Sequence, residues 1–275
     1  MRVPSQTRSW RPRLVAFDVD GTLLDDRQRL HEPVIEAIAA MRARGVQGCL
    51  VTGRMYRSVL RYARQLKFDA PIVCYQGAAV VDPASDEVLM DTPLPNREAL
   101  ELVAYAKRER LHVQLYKNDR FYSQEYDEYT KLYAKIAGVE PVIVGSLERE
   151  FETSDATKAV IVAQAGVAER HVPAIAAMFA DRAYVTRSLP EFIEVMNPHV
   201  DKGRALAIVA ARLSLDMCDV MAIGDSWNDA PLLRAAGFAV AMGSAPPELR
   251  DAADAVVADV ANDGVAEAID RFILA

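Results

Sequence analysis

The chain has 275 residues, 51% of them hydrophobic, and a net charge of −7 with an isoelectric point near 5.3. That length accommodates one large domain or two ordinary ones, and the acidic balance argues against nucleic acid or an anionic membrane as a general partner. No apolar stretch reaches the length of a membrane span, and Cys49, Cys74 and Cys218, far apart in apolar runs, read as buried thiols of a reducing compartment.

Residues 1–12 are basic but lack the apolar segment of a signal peptide, so we expect a disordered tail and a cytoplasmic protein, monomer or homodimer. Residues 14–17 form an apolar run that reads as a buried strand, and Asp18-Val19-Asp20-Gly21-Thr22 follows it directly. Two carboxylates at a strand end suit a divalent cation, since Mg²⁺ takes hard oxygen ligands and keeps room for phosphate oxygens. The same string also suits an ordinary Asp-Gly turn with Asp18 as a helix cap. Pro33 suits a helix start, Val34, Ile35, Ile38 and Met41 recur at helical spacing, and Gly45 stops the helix. A strand over 46–51 follows, closed by Thr52-Gly53-Arg54, and then a helix with Met55, Val59, Tyr62 and Leu66 on one face. With 72–74 as a third strand, the β-α-β-α-β order predicts a doubly wound parallel sheet with ligands beyond the carboxyl ends of its strands.

The texture changes after Tyr75. A hairpin is expected around 82–86, a helix capped by Asn96 and running to about residue 108, and a second hairpin around 117–120. A helix over 126–136, a strand over 158–163, a helix over 167–179 and strands near Tyr184 and Phe192 complete an α+β module. We place this inserted module at 84–189, between core segments 13–83 and 190–275. In the second core segment a helix is expected over 203–213, strands over 220–223, 238–242 and 255–257, and a closing helix over 264–274.

Asp225, in Gly224-Asp225-Ser226-Trp227-Asn228-Asp229, is a third carboxylate at a strand end. It either meets Asp18 and Asp20 across neighbouring strands, where the acids would repel without a cation, or caps the next helix. Thr52 is either an ordinary N-cap or, with the free N–H groups of its helix, a phosphate ligand. Lys202, just before a helix, is either a surface residue or a cation reaching into a cleft. His31, His112, His171 and His199 form no close metal-ligand pattern, His199 near Lys202 either bordering the pocket or facing solvent, and Tyr116, Lys117, Tyr122 and Tyr126 either contact substrate or belong to the core or surface sheet of the insertion.

Together, LVAFDVDGTLL, Thr52-Gly53-Arg54, Lys202 in VDKGRAL, and GDSWNDAPLL resemble the four motifs of the haloacid dehalogenase superfamily, in order. By position and texture the insertion is similar to the type-2 cap of its Cof-like subfamily, which includes many sugar phosphatases. The resemblance implies a Rossmann-like core and a Mg²⁺-dependent phosphatase acting on a small phosphorylated metabolite: a sugar phosphate, a nucleotide or a phosphorylated cofactor. It assigns Asp18 as the nucleophile that forms an aspartyl-phosphate and Asp20 as the acid and base. Mg²⁺ would be held by the Asp18 carboxylate, the Asp20 carbonyl and Asp225. Thr52, the Gly53 N–H, Lys202 and Asn228 would hold phosphoryl oxygens, while Asp229 orients Lys202 or a metal-bound water. An apolar cap beside Asp20 would favour its protonated form. A phosphomutase using the same intermediate is the alternative enzyme. A phospho-acceptor signalling domain is the non-enzymatic one, opposed by the long insertion and by Asp20. Two residues depart from the family pattern. Gln76 stands where Asn is frequent, affecting either leaving-group contact or only the turn, and Trp227 is bulky, packing under the cap or lining the pocket.

Overall fold

The computed structural model describes residues 10–187 and 189–275. Residues 1–9 of the expected tail lie outside the described residues. Within 10–12, the Trp10 indole donates to the Cys218 carbonyl at 2.8 Å and its ring centroid lies 5.0 Å from that of Phe238.

Strand β1 (Leu14–Phe17) is buried throughout and is followed by α1 (Glu32–Ala43), which has Pro33 in its first turn and buries Val34, Ala37, Ile38 and Met41. After β2 (Gln47–Leu50), α2 (Tyr56–Leu66) buries Val59, Tyr62 and Leu66. The expected third strand is present at 72–74 and adjoins the parallel sheet in the parallel sense, though it goes on to build a second, antiparallel sheet. β3 (Ile72–Cys74) meets the first sheet through a parallel bridge, Val51 to Val73, and the Thr52 N–H donates to the Val73 carbonyl at 2.9 Å. It pairs antiparallel with β4 (Ala79–Val81), which pairs antiparallel with β5 (Val88–Asp91). Tyr75 and Gln76 both take positive φ in the 3-10 turn Tyr75–Gly77, and this reversal folds β4 back onto β3 where a helix would otherwise cross over.

The insertion continues with α3 (Asn96–Glu109), β6 (His112–Lys117), β7 (Arg120–Ser123), α4 (Glu128–Ala137), β8 (Val142–Ile143) and α5 (Leu147–Glu150). Then come β9 (Lys158–Val162), α6 (Ala165–Phe179), β10 (Tyr184–Thr186) and β11 (Phe192–Met196). The strands form a sheet of order β10-β11-β9-β6-β7-β8, antiparallel except between β7 and β8. One face of the sheet, with Val113, Leu115, Ile161 and Ile193, is covered by Leu102 and Ala106 of α3 and Ile175 and Phe179 of α6. The other face carries Tyr116, Val160 and Phe192, which share an apolar cluster with Phe17 and Tyr62 of the first unit. Asn96 is not the cap of α3: Pro95 holds that position, and the Asn96 amide donates to the Glu152 carbonyl at 2.7 Å. The limits 84–189 followed composition, whereas strand pairing crosses them at both ends, through β5 and through β11.

The chain returns through α7 (Lys202–Arg212), β12 (Val220–Gly224), α8 (Ala230–Ala235), β13 (Phe238–Ala241), α9 (Pro247–Ala252), β14 (Ala255–Val256) and α10 (Gly264–Ile269), which runs on as π-helix over Asp270–Leu274. The resulting parallel sheet has the order β14-β13-β12-β1-β2. Alternate residues serve its two faces. Val15, Phe17, Met221 and Ile223 pack with α1 and α10, while Leu14, Ala16, Val220 and Ala222 pack with α7 and α8. Helices thus cover both faces, which is the doubly wound α/β class expected. Cys49 and Cys74 are buried, but Cys218 is exposed because it lies on the surface turn Met217–Asp219 before β12.

His31, ahead of α1, ties the loop after β1 to the C-terminal helix. Its Nδ1 lies 2.8 Å from the Asp263 carboxylate and its Nε2 3.4 Å from Asp25. Asp263, then Asp25, raises the imidazole pKa above its ordinary value of about 6.5. The native state therefore holds the proton more tightly than the unfolded chain. This stabilisation is complete below about pH 6.5 and is lost as pH rises through the elevated native value. His31→Ala should lower the thermal unfolding midpoint more at pH 6 than at pH 9, and a pH-independent gap between the two proteins would contradict the linkage.

Candidate active site

Phe17 is level with Leu50 on one side and Ile223 on the other. The ladders run one step further: the Asp18 N–H donates to the Ile223 carbonyl at 3.0 Å and the Val51 N–H to the Phe17 carbonyl at 2.8 Å. Asp18, Thr52 and Asp225 therefore leave the same edge of the parallel sheet. Gly21 turns the following loop with φ of +82°, and a Cβ there would collide with the Asp225 carboxylate. Thr22 Oγ1 donates to Asp225 Oδ1 at 3.2 Å, so the first motif seats the third carboxylate directly.

Lys202 opens α7, whose first turn is capped by Asp201 accepting the Gly203 and Arg204 amides at 2.7 and 2.9 Å. The Lys202 side chain is 1% exposed, with Nζ 2.7 Å from Asp18 Oδ1 and 2.6 Å from Asp229 Oδ1. Asp229 closes the 3-10 turn Trp227–Asp229, and its Oδ2 accepts the Asp225 and Ser226 amides at 3.1 and 3.0 Å. Both Asp229 oxygens are thereby engaged, which suits it to orienting Lys202.

Burial, then Asp229 and Asp225, pushes the Asp18 carboxyl well above the usual carboxylate range, against the pull of Lys202. Burial and Asp229 push Asp225 up to about 7. Burial opposes the charge on Lys202, but Asp18 and Asp229 outweigh it and raise its pKa. Carboxylate oxygens of Asp18, Asp225 and Asp229 all lie within 4.8 Å of one another. Hard oxygen donors crowded at mutual repulsion fit a divalent cation. With Asp229 already committed, Asp18 and Asp225 are the carboxylates suited to hold it.

Asp20 differs from expectation. Its carboxylate meets no apolar cap but a buried guanidinium: Arg54 Nε donates to Asp20 Oδ2 at 2.7 Å and Nη2 to Oδ1. Arg54 Nη2 also donates to Gln28 Oε1, while Arg54 Nη1 is buried with no hydrogen-bond partner among the described residues. In the sequence Arg54 stands out only as the third residue of Thr52-Gly53-Arg54. The signal was its place at a helix start two residues after Thr52. Nothing in the sequence pointed to Gln28. Thr52 is buried and its Oγ1 accepts the Arg54 N–H at 3.1 Å. Asn228 Nδ2 donates to Gln76 Oε1 at 3.1 Å, which gives Gln76 a contact inside the site as well as a place in the turn. Trp227 is 59% exposed and does not pack under the insertion, because the turn that sends Asp229 inward sends its first residue out. The histidines stand elsewhere, His112 on Asp127, His171 on Tyr105 and His199 in an exposed loop.

The sequence profile of a family described as haloacid dehalogenase-like hydrolase matches residues 15–269. The 5-amino-6-(5-phospho-D-ribitylamino)uracil phosphatase YitU of Bacillus subtilis is 31% identical over 270 residues, 95% of this chain and 98% of that one. The pyridoxal phosphate phosphatase YbhA of Escherichia coli is 26% identical over 269 residues, 94% and 97% of the two chains. The crystal structure of a haloacid dehalogenase-like hydrolase from Bacteroides thetaiotaomicron superimposes with a TM-score of 0.85 at 26% identity, covering 95% of this chain and 99% of that one. The chain belongs to the haloacid dehalogenase-like hydrolases.

Proposed function

We propose that this protein is a Mg²⁺-dependent phosphatase that hydrolyses a small phosphorylated metabolite through an aspartyl-phosphate on Asp18. The observation that carries the reading is Lys202 buried between Asp18 and Asp229, with the Asp225 carboxylate in the same cluster. Two relatives, YitU of Bacillus subtilis and YbhA of Escherichia coli, are named as phosphatases of phosphorylated compounds of metabolite size.

Phosphoryl transfer depends on positioning and on neutralising charge at the transferring group. The Asp18 and Asp225 carboxylates and the Asp20 main-chain carbonyl would hold the cation, which offsets the repulsion between a carboxylate nucleophile and an anionic phosphoryl group. Lys202 adds a fixed positive charge at Asp18 itself and, with Thr52, the Gly53 N–H and Asn228, binds phosphoryl oxygens. An Asp18 oxygen attacks phosphorus, the bond to the ester oxygen breaks, and the leaving oxygen takes a proton from the Asp20 carboxyl. Water then attacks the phosphoaspartate, Asp20 accepts a proton from it, and the phosphorus–Asp18 bond breaks to release inorganic phosphate. Arg54 holds Asp20 beside this path, and its partnerless Nη1 gives it a donor for a phosphoryl oxygen. The six-stranded module acts as the cap. Its inner face restricts access to small substrates and excludes bulk water. We assign the core to 13–83 and 190–275 and the cap to 84–189; β11 belongs by number to the second core segment and pairs as a strand with β9 of the cap.

Asp18→Asn removes the nucleophile but also relieves buried charge repulsion. Phosphate release from p-nitrophenyl phosphate should fall by roughly three orders of magnitude or more while the unfolding midpoint stays level or rises. A variant with most of its turnover intact would remove Asp18 from the nucleophile role. Mg²⁺ binding to the native state alone should raise the unfolding midpoint with ion concentration. Asp225→Asn should abolish most of that rise, as read by thermal denaturation across a Mg²⁺ series.

A further inference from the structure

Lys158 on β9 and Glu194 on β11 form an ion pair on the inner face of the insertion's sheet. Their side chains are 2% and 3% exposed and Lys158 Nζ lies 3.0 Å from Glu194 Oε1. Such a buried pair commonly stabilises a fold no more than apolar residues of similar volume would, so its contacts need another explanation. Those contacts run into the other unit. Lys158 Nζ donates to the Gly53 carbonyl at 3.2 Å, and Gln76 Nε2 donates to Glu194 Oε2 at 3.5 Å.

The two recipients govern the loops proposed to bind the phosphoryl group. The Gly53 carbonyl and the Arg54 N–H belong to one rigid peptide plane. That N–H donates to Thr52 Oγ1, which occupies the hydroxyl as an acceptor and leaves its proton for a ligand. Gln76 is buried in the left-handed region, with φ of +60°. Its N–H donates to the Thr52 carbonyl at 2.9 Å, its Oε1 accepts the Asn228 amide, and its side-chain amide fills the space a Cβ on Gly53 would need. Gln76 thus touches Thr52, Gly53 and Asn228, and Glu194 supports it from behind.

We infer that the Lys158–Glu194 pair is a positioning device through which the inserted sheet fixes the geometry of loops 52–54 and 75–77; its catalytic consequence rests on the phosphatase reading above. Lys158→Met alone would strand a buried carboxylate and endanger folding, so the test is the double variant Lys158→Met/Glu194→Met, which removes both charges. Two measurements are made on the intact protein. Hydrogen–deuterium exchange should accelerate at 52–54 and 75–77 while the strands of the parallel sheet keep their protection. With p-nitrophenyl phosphate and Mg²⁺, kcat should fall roughly 10- to 100-fold with KM changed by less than about threefold, since the loss is of transition-state alignment. Glu194→Gln, which keeps an acceptor for Gln76, should retain more of kcat than the double variant. A folded double variant with wild-type kcat, or with unchanged exchange in both loops, overturns the inference. Failure of the unsubstituted protein to release phosphate would count against the phosphatase reading instead, and loop exchange would still decide whether the pair orders the loops.

Discussion

The folded chain must keep several carboxylates out of water within a few ångströms of one another, and one buried ammonium makes that arrangement possible. Lys202 lies against Asp18 and Asp229 together, while Asp225 stands in the same cluster. Removing like charges from water is expensive, and the cost is met only when opposite charge and hydrogen bonds reach each oxygen. The doubly wound sheet supplies the necessary convergence. β1 and β12 are adjacent and in register, so Asp18 and Asp225 leave neighbouring strands at one edge, and α7 begins with its first side chain directed into the same space. Asp229 is shared between Lys202 and two backbone amides, so the turn after β12 and the start of α7 lock each other.

The inserted module uses its sheet asymmetrically. One face is sealed by its own helices, as in any α+β layer, and the other is turned to the parallel unit. That second face is apolar around Tyr116, Val160 and Phe192 yet carries Lys158 and Glu194 fully buried. Polar groups in such surroundings are costly unless paired, and each finds a partner across the boundary between the units. Within the parallel unit itself, Arg54 is largely buried and paired with Asp20. The two units therefore meet through directional bonds at the candidate site as well as through apolar contact, which fixes their relative register where alignment matters most.

Much of this was legible in the sequence because it depends on local order. Apolar runs ending in Asp18 and Asp225 specify strand ends, and strand ends of a parallel sheet share an edge, so the convergence of these two follows from topology, whereas Lys202 was placed with them by the family resemblance. The third strand and its parallel seam with β2 were legible, but its antiparallel partner β4 is set by the reversal at Tyr75 and Gln76, and positive φ at two non-glycine residues leaves no compositional trace. Asn96 read as a cap from residue type, but Pro95 already terminates the extended segment, which leaves the asparagine amide free for Glu152. Cys218 lies in an apolar stretch and still reaches the surface, because exposure there follows from a three-residue turn rather than from hydrophobicity. Side-chain partners such as Arg54 with Asp20 or Lys158 with Gly53 join residues far apart in the chain, where neither periodicity nor spacing carries information.

Charge balance gives the clearest physical reason for a divalent ion in the proposed chemistry. Asp18, Asp20, Asp225, Asp229 and Glu194 gather around the site, and Lys202, Arg54 and Lys158 are the cations paired with them. Asp20 is matched by Arg54 and Glu194 by Lys158, so the unmatched negative charge falls on Asp18, Asp225 and Asp229, which share a single lysine. These are the groups whose mutual repulsion and burial raise Asp18 and Asp225. A second lysine would add bulk where Gly21 already allows no Cβ beside Asp225. A compact dication with oxygen preference satisfies both the charge and the space, and it turns a cluster that would repel a phosphate into one that can receive it.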